Sequence, residues 1–167
     1  VGKYDKIIFL DIDGVLNHEL FYREKSQDER YEEVGLPQCN IDKTRVEMLN
    51  GLIKDTSAKV VISSTWRKGR DVEYLQSILN DAGFIGEVIG KTPSIYVDGY
   101  RILRGVEIYN WMDKNAKIIG GTPKYVIFDD DSDMLYWQRE NFLLVDAYCG
   151  LTPNLCYRAK YILNGSY

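Results

Sequence analysis

Histidine is all but missing: the 167-residue chain holds one, His18. That argues against a histidine-built metal centre, and a lone histidine in a polar stretch is read as a surface or loop residue. Cysteine is nearly as scarce. Cys39, Cys149 and Cys156 are odd in number and lack C-x-x-C spacing, which argues against a disulfide framework or a thiolate zinc site and reads as reduced thiols of a cytoplasmic protein. No apolar run approaches the about 20 residues of a membrane-crossing helix, and no signal peptide is visible. Positive charge is not in excess either: 21 Lys and Arg stand against 25 Asp and Glu, a net charge of −4. A strongly basic surface for gripping long nucleic acid is therefore not expected, although handling a chain end remains compatible with this charge. There is no internal repeat and no low-complexity segment.

What is present is ordinary for a globular chain, 45% hydrophobic and 28% charged. The length suits a single domain over 1–167 with its own core. Short β-branched runs alternate with helical periods. "KIIFLDI" (6–12), "AKVVISS" (58–64), "GEVIG" (86–90), "KYVIFDD" (124–130) and "FLLVD" (142–146) read as strands. Between them, Val46, Leu49, Leu52 and Ile53 follow a helical period capped by Asn40 or Asp42, and 70–83 carries Val72, Leu75, Ile78 and Leu79 on one face before Gly83. A further helix is expected from near Gly105, and a last one from Thr152-Pro153 to near Gly165. The alternation implies an α/β fold: a three-layer, Rossmann-like parallel sheet of five strands with helices on both faces. The polar segment 18–39 reads as a loop or flap inserted over the site.

In such sheets ligands sit beyond the carboxyl ends of the strands. Three polar clusters arrive there: Asp11 and Asp13, then Ser63, Ser64 and Thr65, then Asp129, Asp130 and Asp131. Each has a plainer reading alone, as an Asp-Gly turn, a helix cap or a solvated acidic loop. Their joint arrival after apolar strands is what carries weight. Four carboxylates in one pocket need a cation, and Mg²⁺ suits a site of few protein oxygens and a bound phosphate. Arg67 and Arg104, near the same edge, are candidates for the phosphate oxygens, so the set points to phosphoryl transfer.

"FLDIDGVL" matches D-x-D-G-x-[TLV], "VVISS" an apolar strand ending in Ser, and "YVIFDDD" an acidic strand end. On these motifs the chain resembles the haloacid dehalogenase (HAD) superfamily, over residues 6 to about 147. With "SSTWR", "RGVEIYNWM" and "GLT", it looks like the small HAD domains of RNA repair, related to the 3′-phosphatase half of polynucleotide kinase-phosphatases. The resemblance implies a Mg²⁺-dependent phosphomonoester hydrolase in which Asp11 is the nucleophile forming an aspartyl-phosphate and Asp13 the general acid and base. It implies Mg²⁺ held by the Asp11 carboxylate, the Asp13 backbone carbonyl and Asp129 or Asp130. Ser64 would bond the phosphoryl oxygens, with Ser63 and Thr65 as rivals, and Gly14 would lie against the substrate. Arg104 would be the third-motif cation, with Lys91 and Arg101 as rivals, and Arg67 would touch substrate phosphate. Asp13 disfavours the ATPase-type members, which carry Thr there, and the dehalogenases, which lack this second acid.

Neither 18–39 nor 91–103 is long enough for a large cap, and an open site would admit a polymer end. Tyr22, Tyr31, Tyr96 and Tyr100 could stack on a terminal base, or simply pack the loops. The favoured substrate is therefore a nucleic-acid 3′-phosphate end, with affinity supplemented by a neighbouring domain or partner chain. A small-molecule phosphatase and a non-catalytic HAD-fold binding domain are the alternatives.

Overall fold

The computed structural model describes residues 3–25 and 40–165. Its centre is Lys6–Leu10 (β1), whose Ile7, Ile8, Phe9 and Leu10 have no exposed surface. On one side β1 pairs with Lys59–Ile62 (β2), which pairs with Val88–Lys91 (β3). On the other, past the two short strands Tyr96–Val97 (β4) and Tyr100–Arg101 (β5), it pairs with Lys124–Asp129 (β6), which pairs with Phe142–Leu144 (β7). The order is β3-β2-β1-β6-β7, all parallel.

The alternation of strand side chains divides the core in two. Ile8, Leu10, Val60, Ile62, Val126 and Phe128 face one layer of helices. That layer contains Lys43–Thr56 (α2), Val72–Asp81 (α3) and Pro153–Asn164 (α6), through Leu49, Leu75, Leu79 and Leu163 among others. Ile7, Phe9, Val61 and Ile127 face Arg104–Lys114 (α4) and Ala116–Ile119 (α5), through Ile108, Trp111 and Ile119. Each large apolar side chain so buried contributes roughly 1.5–3 kcal/mol. Helix starts follow their caps: Asp42 accepts from Thr44 N at 2.9 Å, Asp71 from Tyr74 N at 2.8 Å and Thr152 from Leu155 N at 3.3 Å.

The five expected strands and the helices between them are present, each strand one to three residues shorter than the segment read for it. β1 stops at Leu10, so Asp11 begins the loop. Two local features depart from expectation. Glu19–Glu24 (α1) is a short helix at the start of the segment read as loop; the rest of that segment, with Tyr31 and Cys39, lies outside the described residues. His18 is not a surface residue. It is 4% exposed, caps α1 by accepting from Phe21 N at 3.2 Å, and sets Nε2 2.8 Å from Asp42 Oδ2. Its role is to tie the loop after β1 to the start of α2. Between β3 and α4, β4 and β5 form a hairpin whose turn, Asp98-Gly99, has φ values of 50° and 83°. No large cap stands over the sheet among the described residues. None of their helices is long and apolar enough to cross a membrane.

Candidate active site

β1 and β6 are neighbours in register, Leu10 beside Phe128, so the residues that follow them emerge together. Asp11, Asp129 and Asp130 each offer a carboxylate oxygen, all within 4.8 Å of one another. Asp11 and Asp129 are buried, whereas Asp130 is exposed. The loop between them is held tightly: Asp11 N donates to Phe128 O at 3.0 Å, and Val15, Leu16 and Asn17 N all donate to Ile12 O. Gly14 lies in the left-handed region at φ 78°, and a Cβ there would stand 2.5 Å from Asp130 Oδ2. The missing side chain of Gly14 is thus what lets Asp130 approach the loop after β1.

Arg104 supplies the positive charge. As the first residue of α4, it donates its backbone N–H to Asp133 Oδ2 at 2.8 Å. Its Nη1 donates to Ser63 O at 2.6 Å and lies 3.4 Å from Asp11 Oδ1 and 3.2 Å from Asp129 Oδ2. Burial works against this charge, but Asp11, Asp129 and Asp133 outweigh it and raise the pKa of Arg104. One guanidinium does not neutralise the cluster. Burial, and then the Asp11 charge, push the Asp129 carboxyl up to about 8, and the same two causes raise Asp130. Asp129 Oδ2 is buried without a hydrogen-bond partner among the described residues, as are Arg104 Nε and Ser63 Oγ. A buried carboxylate oxygen with no hydrogen bond, three converging carboxylates and a glycine cradle fit a hard divalent cation.

Asp13 sits apart from this trio. Its Oδ1 accepts from Asn17 Nδ2 at 2.8 Å and its Oδ2 from Trp66 Nε1 at 3.0 Å. Gly14 N donates back to Asn17 Oδ1 at 2.9 Å. Tyr22 is close enough for the Asp13 charge, after burial, to raise its pKa. At the end of β2, Ser63 and Ser64 are fully buried. Ser64 Oγ accepts from Trp66 N at 3.3 Å, capping the 3₁₀ turn Thr65–Arg67, and Thr65 is exposed.

Arg67 is the clearest departure from expectation. Its guanidinium is 2% exposed and gives all five of its N–H groups to the protein. Nε donates to Thr92 O, Nη1 to Ser63 O and Ser64 O, and Nη2 to Pro93 O and to Glu107 at 2.6 Å. No donor remains for a substrate phosphate, so Arg67 ties the end of β2 to α4 instead. Burial lowers its pKa and the Glu107 charge opposes that. Among the rivals to Arg104, Lys91 is bonded to Arg67 O and Arg70 O, and Arg101 lies 3.3 Å from Glu107. Neither has an ion pair with the acidic cluster.

Asn17, Trp66, Asp133 and Glu107 are site and support residues that the motifs did not single out. Asn17 directly follows "FLDIDGVL" and Trp66 lies inside "SSTWR", but nothing in the local sequence says which way either side chain turns. A family model described as "HAD domain in Swiss Army Knife RNA repair proteins" matches residues 7–155. No curated protein and no solved structure matches. The chain belongs to this family of HAD domains.

Proposed function

We propose that this HAD domain is a divalent-metal-dependent phosphomonoesterase that removes the 3′-phosphate from a nucleic-acid end. The observation that carries the reading is the joining of Asp11, Asp129 and Asp130 around Arg104, with the Asp13 side chain held by Asn17 and Trp66. Asp11, Asp129 and Asp130, with the Asp13 backbone carbonyl, would hold Mg²⁺, which supplies charge neutralisation for the phosphoryl group and its attacking and leaving oxygens.

Asp11 Oδ1 accepts from Ile12 N at 2.8 Å and faces Arg104, which leaves Oδ2 to attack phosphorus. The ester P–O bond breaks as the leaving oxygen takes a proton from Asp13. Asp13 then takes a proton from water, which attacks the aspartyl-phosphate and releases inorganic phosphate and free Asp11. Arg104 stabilises the charge on the transferring group, and Ser64, with Ser63 and Thr65 as rivals, would donate to its oxygens. Membership of a family of HAD domains in RNA repair proteins, and the absence of a large cap among the described residues, favour a polymer end over a metabolite.

The test is phosphate release, with Mg²⁺ or with EDTA, from an aryl phosphate, mononucleotides and oligonucleotides ending in a 3′- or 5′-phosphate. Mg²⁺-dependent release, fastest on the 3′-phosphorylated end, is expected. Release confined to mononucleotides would replace this reading with a nucleotidase, and no release from a folded, Mg²⁺-bound protein would refute catalysis.

A further inference from the structure

Trp66, whose indole N–H holds Asp13, begins a row of side chains leading out of the site. The Arg70 guanidinium lies 5.6 Å from the Trp66 ring centroid and 5.6 Å from that of Tyr74. Tyr74 is 44% exposed on the first turn of α3, its backbone fixed by Asp71. Flanking this row, Lys68 Nζ donates to Tyr96 Oη at 2.8 Å and stands 5.5 Å from that ring. The contact ties the loop after β2 to the β4–β5 hairpin, where Tyr96 is half-exposed. Two rings with a guanidinium between them, beside an ammonium–phenol pair, make an aromatic and cationic surface continuous with the residue that holds Asp13.

Arg23, Lys59, Arg139 and Lys160 on this acidic chain each meet a carboxylate, Arg23 and Arg139 with a ring as well. Lys68 and Arg70 meet none among the described residues; their partners are rings and a phenol. Cations left to rings at the rim of a negative pocket suit a polyanion with π-faces, which is single-stranded nucleic acid. An acidic peptide would offer charge without planar bases to stack.

We propose that Trp66, Arg70 and Tyr74, flanked by Lys68 and Tyr96, form a stacking platform for the unpaired nucleotides next to the terminal phosphate. The platform rests on the phosphatase reading for its direction, but its binding is measurable without turnover. Tyr74 and Trp66 would receive base faces, while Arg70 and Lys68 approach the strand's phosphates.

The experiment is fluorescence anisotropy of a labelled single-stranded hexanucleotide with a 3′-phosphate, titrated with the Asp11→Asn protein. Tyr74→Ala and Arg70→Ala are added singly to that background, with circular dichroism as the fold check. Each is expected to weaken binding by about 5- to 150-fold, the range for losing one stacked base. Arg70→Ala and Lys68→Ala should also each reduce the slope of log affinity against log salt by about 0.7. A companion assay on the active protein compares KM for the hexanucleotide and for an aryl phosphate, which has no strand to lay on the platform. A rise in KM on the hexanucleotide alone supports the platform. Unchanged hexanucleotide affinity in both variants would overturn it, as would an equal loss on the aryl phosphate. Platform-dependent binding without phosphate release from any substrate would retain the platform and discard the phosphatase.

Discussion

Replacing Arg67 by Met separates the structural role of that residue from a substrate role. The substitution keeps the length of the side chain and removes the charge and five donors, stranding Glu107, which is wholly buried. Glu107 would keep Ile95 N at 2.9 Å and the half-exposed Arg101 at 3.3 Å. These offset part of the loss, but the remaining partner charge is only partly desolvated. Breaking a buried pair from one side costs about 3–5 kcal/mol, and a chain of this size loses about 2–4 °C per kcal/mol. The expected fall in Tm is therefore roughly 6–20 °C, read by circular dichroism melts. Removing both charges, Arg67→Met with Glu107→Gln, should cost less than the two single changes added together, because no unpaired carboxylate is left. The reasoning is refuted if Arg67→Met melts within 2 °C (about 0.5–1 kcal/mol) of the parent. It is refuted more pointedly if such a stable variant shows a KM defect on every phosphorylated substrate, which would return Arg67 to the phosphate.

Three further outcomes follow from the site. Asp11→Asn should abolish phosphate release, by roughly 10³-fold or more, while its Tm without metal stays level or rises, since one of three crowded carboxylates has gone; retained release would remove Asp11 as nucleophile. Gly14→Ala strains a φ of 78° and drives a methyl against Asp130, so it should cost about 1 kcal/mol or more and weaken Mg²⁺ affinity in calorimetric titration; unaltered affinity would show that Asp130 does not join the metal. In EDTA, folded Asp129 keeps its proton to about pH 8 whereas an unfolded aspartate loses it near about 3.9. The unfolded state then binds fewer protons between those values, and stability should fall as pH rises from about 4 to 8, by up to about 1.4 kcal/mol per pH unit. Urea midpoints test this against Asp129→Asn, which should lack that decline; a slope of the opposite sign, or the same slope in the variant, would refute the protonated Asp129.

The strands were legible because a strand covered on both faces must be apolar through its buried length, and "IIFL", "VVI" and "VIF" are. Helix starts were legible from Asn40 or Asp42, of which Asp42 is the cap, and from Thr152, since a cap acts on its own next turn. The convergence of Asp11 with Asp129 was legible too, because parallel strands carry their ends to one edge. His18 and Arg67 were not. Whether an isolated polar side chain ends in water or in the core depends on partners distant in sequence, Asp42 and Tyr148 for the first, Glu107 and four carbonyls for the second.

The two arginines mark the division most clearly. By itself the sequence determined that two cations would follow the second strand and precede a helix near the acidic edge. Only the tertiary structure decided between them. The neighbouring turn and α4 close around Arg67 with enough acceptors to use every donor, while the same helix begins by turning Arg104 toward Asp11 and Asp129. Guanidinium chemistry is identical in both; the oxygens that packing brings within about 3 Å make one a strut and give the other to the site.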